Sequence, residues 1–220
     1  MNTFVYKLHK KGLNAELDSS IFFKLKDTGT QLIKLIFKMK YCIEKLLHHT
    51  DNHKYIFFWG HKASQDETPT KSCFSQWWPS PFIVMGIEYK TAEHWMMAKK
   101  AELFHDHVIL DKILHAKSPA EAKKLGREVK DYDDALWVKN RCEIVRQGNY
   151  HKFEQNLALK EFLLNTRGRV IVEASPVDPI WGIGMASDHK DIYSPDKWQG
   201  LNLLGFALME VRDEFLNVTM

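Results

Sequence analysis

Residues 86–104 read GIEYKTAEHWMMAKKAELF and combine a strand-like entry with a helix-like body. Thr91 stands where a helix N-cap is expected, because its hydroxyl can accept a hydrogen bond from a free N–H of the first turn. Trp95, Met96 and Leu103 then recur at the spacing of one helix face. The segment predicts a short strand that enters a helix, with the carboxylate of Glu93 in the first helical turn.

Glu93 has two possible roles. An acidic residue in the first turn ordinarily complements the helix dipole. Here, however, it is followed by His94 and Trp95, and a second block, EASPVDPIWGIG at residues 173–184, again joins carboxylates to a tryptophan. Carboxylates with aromatic neighbours are typical of sites that act on sugars. We therefore treat Glu93 as a candidate catalytic residue.

The composition is that of a globular protein with one sizeable core. The chain has 220 residues, of which 45% are hydrophobic and 27% are charged. Its three cysteines, Cys42, Cys73 and Cys142, are far apart, which argues against a disulfide framework and a zinc knuckle. No apolar run has the length of a signal peptide or a membrane span. We expect a cytoplasmic protein.

The N-terminal segment differs from the rest of the chain. Residues 1–58 carry 10 Lys and Arg against 5 Asp and Glu, whereas residues 59–220 carry 21 against 23, and all seven Trp and all seven Pro lie beyond residue 58. The sequence predicts an extension over residues 1–54 and a domain over 55–220. Within the extension, residues 31–49 have the pattern of a basic amphipathic helix, which can pack on its own domain, lie on a membrane or contact a partner.

Histidines cluster around Asp51 and again at His105-Asp106-His107. Neither cluster has the paired helical spacing or the cysteines of a metal site, so we predict no metal.

The remaining segments predict further elements. Tyr55–Gly60 and Arg169–Ala174 have strand composition, whereas the prolines at 79 and 81 argue against a regular central strand near them. Ser118-Pro-Ala-Glu121 is a capping box, and it starts a helix expected to reach about Val129. Further helices are predicted from Asp133 or Asp134 to Gly148, from Lys152 to Leu164 and from Leu201 to Leu216. A dinucleotide fold is not expected, because two prolines separate the strand from Gly182 and Gly184 and no helix opens there.

Several of these motifs together resemble one family. They are TAEHWMMAKK at 91–100, LGR at 125–127, Trp137, KFEQ at 152–155, VEASPVDPIWGIG at 172–184 and GLNLLGFALMEVR at 200–212. In this order they resemble the NADAR, or YbiA-like, family, and the resemblance covers about residues 55–216. One departure is Ser75-Gln-Trp77, where many members have Ser-Asn-Phe. Because these residues concern the pocket for the base, the resemblance does not identify which base the substrate carries.

The resemblance implies a single, mainly helical α+β domain with a few short strands. It implies an N-glycosidase that needs no cofactor. Members act on phosphorylated ribosylamino-pyrimidine intermediates of riboflavin biosynthesis, and others remove ADP-ribose from guanine bases, including those in nucleic acid. The family's motif residues correspond here to Glu93, Lys100, Arg127, Trp137, Lys152, Asp178, Trp181 and Asn202.

These residue types suit the reaction. Cleavage of a ribosyl C1′–N bond passes through an oxocarbenium-like state, so a carboxylate must activate water or stabilise the positive charge on the sugar, and a paired acid can protonate the leaving nitrogen. Glu93 and Asp178 are the candidates for this pair. The predicted substrate-binding residues comprise basic groups for a phosphate, tryptophans that stack on the base and an amide that bonds a ribose hydroxyl or orients a carboxylate: Arg127, Lys100, Lys152, Trp137, Trp181 and Asn202. Trp77 or Trp78 can add a wall for a flat base.

A second function remains open from the sequence. The same pocket can belong to a non-catalytic module that binds ADP-ribose or a nucleotide. Such a module has no need of an ionised carboxylate near the anomeric carbon, so the pair Glu93 and Asp178 favours the enzyme. Binding of nucleic acid as the main role is not expected, because residues 59–220 carry a slight negative charge.

Overall fold

The computed structural model describes residues 39–48, 53–62 and 68–218. In chain order these form helix α1 (Ile43–His48), strand β1 (Lys54–Phe58), a 3₁₀ turn (Lys71–Phe74), strands β2 (Phe82–Val84) and β3 (Ile87–Tyr89), helices α2 (Ala92–Leu103), α3 (His107–His115), α4 (Pro119–Gly126), α5 (Asp134–Gln155) and α6 (Leu157–Leu164), strand β4 (Arg169–Glu173), a second 3₁₀ turn (Pro195–Lys197) and helix α7 (Leu203–Val218). The predicted class, α+β and mainly helical, is confirmed.

β1 and β4 form a parallel pair although more than a hundred residues separate them. Lys54 pairs with Arg169 and Phe58 pairs with Glu173, so both strands end at the same edge. The middle of β4, Val170–Val172, is fully buried. Both predicted strands are confirmed to within two residues, and their carboxyl ends create the edge at which the site lies.

β2 and β3 form a separate antiparallel hairpin. Its turn, Met85 and Gly86, has positive φ angles of 52° and 80°, and such angles fit the right-handed twist of a two-residue hairpin. The hairpin leads directly into α2, as the sequence predicts. Pro79 and Pro81 precede β2, which does not pair with the parallel strands.

α2 is the central helix of the domain and packs against α3, α4 and α5. Its predicted N-cap is confirmed, because the Thr91 side chain accepts a hydrogen bond from His94 N–H. Burial extends further round the helix than the predicted face: every residue from Ala92 to Ala98 is buried. The first turn of α2 is therefore held rigidly inside the protein.

α5 corrects the helix boundary predicted at Gly148. The helix continues without interruption from Asp134 to Gln155, and the residues predicted to start a new helix at Lys152 belong to its last turn. A Cβ atom at position 148 would lie 2.4 Å from Cδ1 of Trp95. Gly148 therefore provides the close approach of α5 to α2 and does not end the helix.

Two other helix starts follow their sequence signals. The Ser118 hydroxyl accepts from Glu121 N–H at 3.2 Å, as its capping box predicts, although α4 ends at Gly126 and not at Val129. Asp133 caps α5 by accepting from Leu136 N–H at 2.6 Å. The last helix, α7, lies two residues further along the chain than predicted.

The predicted helix over 31–49 is not continuous in the described part of the chain. Residues 39–42 are not helical, α1 covers six residues, and residues 31–38 lie outside the described ranges. Cys42 and Leu46 are buried, and Lys40 N–H donates to Glu210 of α7 at 2.9 Å. Residues 39–48 thus pack on the domain. The domain boundary itself stays a prediction.

None of the helices in the described ranges combines the length and the apolar character needed to cross a bilayer.

Candidate active site

Three acidic residues from different elements meet at the carboxyl edge of β1 and β4. Glu173 is the last residue of β4, Glu93 lies in the first turn of α2, and Asp178 lies in the loop after β4. Their charges interact: Asp178 raises the pKa of both glutamates, and Glu93 raises that of Glu173. We call these three residues the carboxylate cluster. It contains the two predicted catalytic residues and one that the sequence did not single out.

Glu93 is 2% exposed. The pKa of its carboxyl group is raised to about 7. Burial is the main cause and the charge of Asp178 contributes, whereas Lys123, Trp77 and Arg127 oppose the shift. Its backbone N–H donates to the Gln76 carbonyl at 2.9 Å, but Oε1 has no hydrogen-bond partner among the described residues. A buried carboxyl oxygen without a partner is costly for a fold, and such groups are frequent at functional sites.

Glu173 is half-buried but also has a raised pKa and an unpartnered oxygen, and sequence reasoning missed it. Burial raises the pKa of its carboxyl group to about 8, with a further contribution from Asp178, and Oε2 has no partner in the described part of the chain. The signal was available in the sequence: Glu173 is the penultimate residue of a predicted strand, and binding sites in sheets of parallel strands lie outside the strands' carboxyl ends.

Asp178 is held by its own loop. Its Oδ1 accepts hydrogen bonds from the backbone N–H groups of Ile180 and Trp181, both at 2.9 Å. The loop then passes the end of β4 closely, since a Cβ atom at Gly182 would lie 2.8 Å from the Glu173 carbonyl oxygen. The loop thus holds Asp178 in place, and Gly182 permits the close contact with β4.

Two cations on α4 face the cluster. Lys123 and Arg127 are four residues apart and so lie on one side of this helix. Lys123 lowers the pKa of both Glu93 and Glu173, and Arg127 lowers that of Glu93. Arg127, a predicted residue, is exposed and free to meet a solute, while Lys123 was not predicted. The site therefore places positive groups beside its carboxylates.

Trp77 completes this side of the site. Its indole N–H faces the Glu93 carboxyl group, its ring lies 5.4 Å from that of His61, and Lys123 Nζ lies 5.8 Å from its centre. Trp78, the alternative, is buried in the core. Of the two tryptophans considered as a wall for a base, Trp77 is the one that lies at the cluster.

Lys100 and Trp137 form a second group. Lys100 Nζ donates to the Gly126 carbonyl at 2.8 Å and lies 4.4 Å from the centre of the Tyr132 ring and 5.7 Å from that of Trp137. Burial lowers the pKa of Lys100. These residues adjoin Arg127, the residue after Gly126, so the structure brings three of the predicted binding residues to the end of α4.

Lys152 does not fit its predicted contact with a substrate phosphate. It is 0% exposed, and its ammonium group donates to the carbonyls of Cys73 at 2.6 Å and Ser75 at 2.9 Å. Burial lowers its pKa to about 8. The bonds fix the turn that ends at Gln76, whose carbonyl accepts from Glu93 N–H. The placement is that of a positioning residue for Glu93.

Asn202 is also bonded to buried backbone groups, a placement that fits the predicted alternative in which it orients a carboxylate better than a contact with a ribose hydroxyl. It is 0% exposed, Oδ1 accepts from Glu173 N–H at 3.0 Å, and Nδ2 donates to the Ile171 carbonyl at 3.0 Å. It thus ties the start of α7 to the end of β4. Trp181 packs partly on the core, and its carbonyl accepts from Leu204 N–H, so it supports the same junction.

No group of three or more His, Cys, Asp and Glu residues in the described ranges is arranged to hold a metal ion. Asp106, from the second histidine cluster, caps α3 by accepting from Ile109 N–H and also accepts from Lys130 N–H. That cluster therefore has a structural explanation.

Comparisons with known proteins agree on one family. A family model described as the NADAR domain matches residues 57–216. An N-glycosidase of Acanthamoeba polyphaga mimivirus is 42% identical over 166 residues, which cover 73% of this chain and 96% of that protein. N-glycosidase YbiA of Escherichia coli is 29% identical over 152 residues, or 69% of this chain and 84% of the relative. The solution NMR structure of E. coli YbiA superposes with a TM-score of 0.59 at 26% identity and covers 79% of this chain and 91% of that one.

Proposed function

The chain belongs to the NADAR domain family, and we propose that it is an N-glycosidase that hydrolyses the C1′–N bond of a phosphorylated ribosyl substrate. The observation that carries this proposal is the carboxylate cluster, in which two glutamates have raised pKa values and each has one buried oxygen without a partner. Groups of this kind are matched to proton transfer near neutral pH.

Glu93 is the proposed base. Its carboxylate accepts a proton from a water molecule as that water attacks C1′, and its charge stabilises the oxocarbenium-like state on the sugar. A pKa of about 7 leaves a useful fraction of this group ionised at neutral pH. A second carboxyl group of the cluster protonates the departing nitrogen.

The substrate's phosphate and base are proposed to meet the α4 side of the site. Arg127 and Lys123 supply the positive charge, and Arg can bind a phosphate through two parallel hydrogen bonds. Trp77 offers its ring to the base beside the Glu93 carboxyl group. The substrates that fit this chemistry are ribosylamino-pyrimidine phosphates of riboflavin biosynthesis and ADP-ribosylated guanine.

The alternative, a module that only binds ADP-ribose or a nucleotide, is less well supported. Holding carboxyl groups with raised pKa values in this site is costly, and a module that only binds has no need of an ionised carboxylate near the anomeric carbon. A binding module gains nothing that offsets these costs. A hydrolase uses the same groups for proton transfer and for charge stabilisation.

The test is Glu93→Gln, assayed by mass spectrometry on ribosylamino-pyrimidine phosphates and on ADP-ribosylated guanine. The amide keeps the shape but accepts no proton, so we expect turnover to fall by about 10²- to 10⁴-fold with substrate affinity little changed. Exposed Glu88→Gln is the matched control and should keep the parent rate. A Glu93→Gln enzyme that turns over like the parent contradicts the assignment.

A further inference from the structure

We infer that Glu173 is the proton donor to the leaving base nitrogen, an inference that rests on the proposed hydrolysis. The sequence-based hypothesis paired Glu93 with Asp178. The structure places Glu173 in the same cluster, as the residue at which β4 ends. It assigns the two glutamates complementary roles on one substrate, with Asp178 as the charge that acts on both.

The main chain of Glu173 is fixed on both sides. Its N–H donates to Asn202 Oδ1 at 3.0 Å, and its carbonyl accepts from Ile183 N–H at 2.9 Å. Asn202 in turn donates to the Ile171 carbonyl, two residues earlier in the same strand. A network that holds the backbone this firmly positions the carboxyl group, which is what a proton donor requires.

One oxygen of the Glu173 carboxyl group, Oε2, is buried and makes no hydrogen bond in the described part of the chain. A carboxyl group that only supported the fold would be expected to bind a backbone N–H or a cation, as Asp106 and Asp178 do. Glu173 instead has a buried oxygen with no partner in the described residues.

The neighbours of Glu173 favour its protonated form. Asp178 in the following loop and Glu93 on α2 are like charges, and Lys123 on α4 is the opposing cation. Burial and the two carboxylates outweigh the lysine, so the pKa of Glu173 is raised to about 8. Because interacting sites titrate as a cluster, the pKa values observed in kinetics will belong to the pair.

Asp178 is less suited to donate the proton. Its Oδ1 already accepts from two backbone N–H groups, which fixes the carboxylate as an acceptor within its own turn. Its negative charge has another effect, since it raises the pKa of both glutamates. Asp178 therefore sustains the protonation of Glu173.

The two glutamates of the carboxylate cluster account for every proton that is transferred in the reaction. The water O–H bond breaks, its proton goes to Glu93, and the oxygen forms the new bond to C1′. The C1′–N bond breaks, and the nitrogen takes its electron pair and the proton of Glu173. The products are the free sugar and the neutral base, and transfer of one proton from Glu93 to Glu173 restores the starting state.

The test compares leaving groups on Glu173→Gln. One substrate is a ribosylamino-pyrimidine phosphate, whose nitrogen must be protonated, and the other is 4-nitrophenyl riboside 5′-phosphate, whose phenolate leaves without a proton. We expect the first rate to fall by about 10²- to 10⁴-fold and the second to change by less than about tenfold. Glu93→Gln, which removes the base, should lower both rates.

The wild-type pH profile gives a second test that needs no variant. With the nitrogen substrate, kcat/KM should fall on the alkaline side as Glu173 loses its proton, whereas the nitrophenyl substrate should show no such alkaline limb. Equal losses on both substrates in Glu173→Gln, or equal alkaline limbs in the wild type, overturn the role of Glu173. A wild-type protein that cleaves neither substrate overturns the hydrolase proposal itself.

Discussion

Glu93 and Glu173 are kept in an environment that is unfavourable to their charges. Both are largely removed from water, both face Asp178, and each has an oxygen without a partner in the described residues. In the folded protein they hold protons at pH values where the unfolded chain has lost them. Function and stability therefore oppose each other at these two positions.

Stability should depend on pH through this pair. The pKa of a glutamate is about 4.3 in an unfolded chain, and here the folded values are about 7 and about 8. The folded state binds more protons between these limits, so the contribution is fully present below about pH 4.3 and is lost as pH rises towards 8. His94, whose pKa is lowered by burial, acts in the opposite direction at acidic pH.

Neutral variants isolate this effect. Glu93→Gln and Glu173→Gln carry no charge at any pH, so we expect each to gain stability relative to the parent between pH 5.5 and pH 8.5, by roughly 1–3 kcal/mol. Thermal melts at three pH values measure the difference, with exposed Glu88→Gln as the control. A gap in melting temperature that stays constant with pH contradicts the raised pKa values.

At the scale of elements, the contact between α2 and α5 places the site. Trp95 packs against Gly148 of α5, and its indole N–H donates to the Ile144 carbonyl at 2.8 Å. Further along α5, Lys152 fixes the turn that receives Glu93 N–H. One helix thus holds α2 at two places, and the first turn of α2 carries the proposed base.

Gly148→Ala should be destabilising although alanine is the better helix former. The new Cβ would lie 2.4 Å from Trp95 Cδ1 and 2.8 Å from its Nε1, and both atoms belong to a buried ring. Overpacking costs about 1–3 kcal/mol, against a gain of about 1 kcal/mol in helix propensity. We expect a net loss of up to about 2 kcal/mol in urea unfolding.

The matched control is Lys139→Ala, an exposed change in the same helix that should stay within about 0.5 kcal/mol of the parent. A Gly148→Ala protein more stable than the parent would show that the two helices can move apart without cost.

At the scale of the whole molecule, residues 39–48 belong with the domain. Cys42 and Leu46 are buried, the Tyr41 hydroxyl donates to Asp213 of α7 at 2.6 Å, and Lys40 also binds Asp213. Two cavities of about 310 and 430 Å³ lie at this junction, and neither is lined by a residue of the carboxylate cluster. This part of the chain supports the fold at a place remote from the proposed chemistry.

Two truncations test that division. Removal of residues 1–50, which takes away the packing of Cys42 and Leu46, should cost roughly 2–3 kcal/mol relative to removal of residues 1–38. Because the site is built from later residues, we expect both proteins to be active at low temperature. Melting temperature and turnover, measured on both, decide this. Equal melting temperatures would show that the contacts of residues 39–48 contribute no stability, and loss of turnover in the shorter protein alone would place them in the function.

The sequence by itself determined the local elements and the family. Thr91, Ser118 and Asp133 form their caps as predicted, because capping depends on residues within one turn. The strands of the parallel pair follow from their β-branched composition, and the class and the NADAR family are confirmed. The sequence also drew attention to Glu93 and Asp178, and the structure brings these two together.

Only the tertiary structure decided which side chains share the site. Glu173 and Lys123 enter it, whereas Lys152 and Asn202 turn to buried backbone groups, and no local pattern separates these cases. The reason is physical: burial and charge at one residue depend on groups far away in the chain, as in the pairing of Phe58 with Glu173. A glutamate keeps a proton that it can donate at neutral pH only when such neighbours raise its pKa.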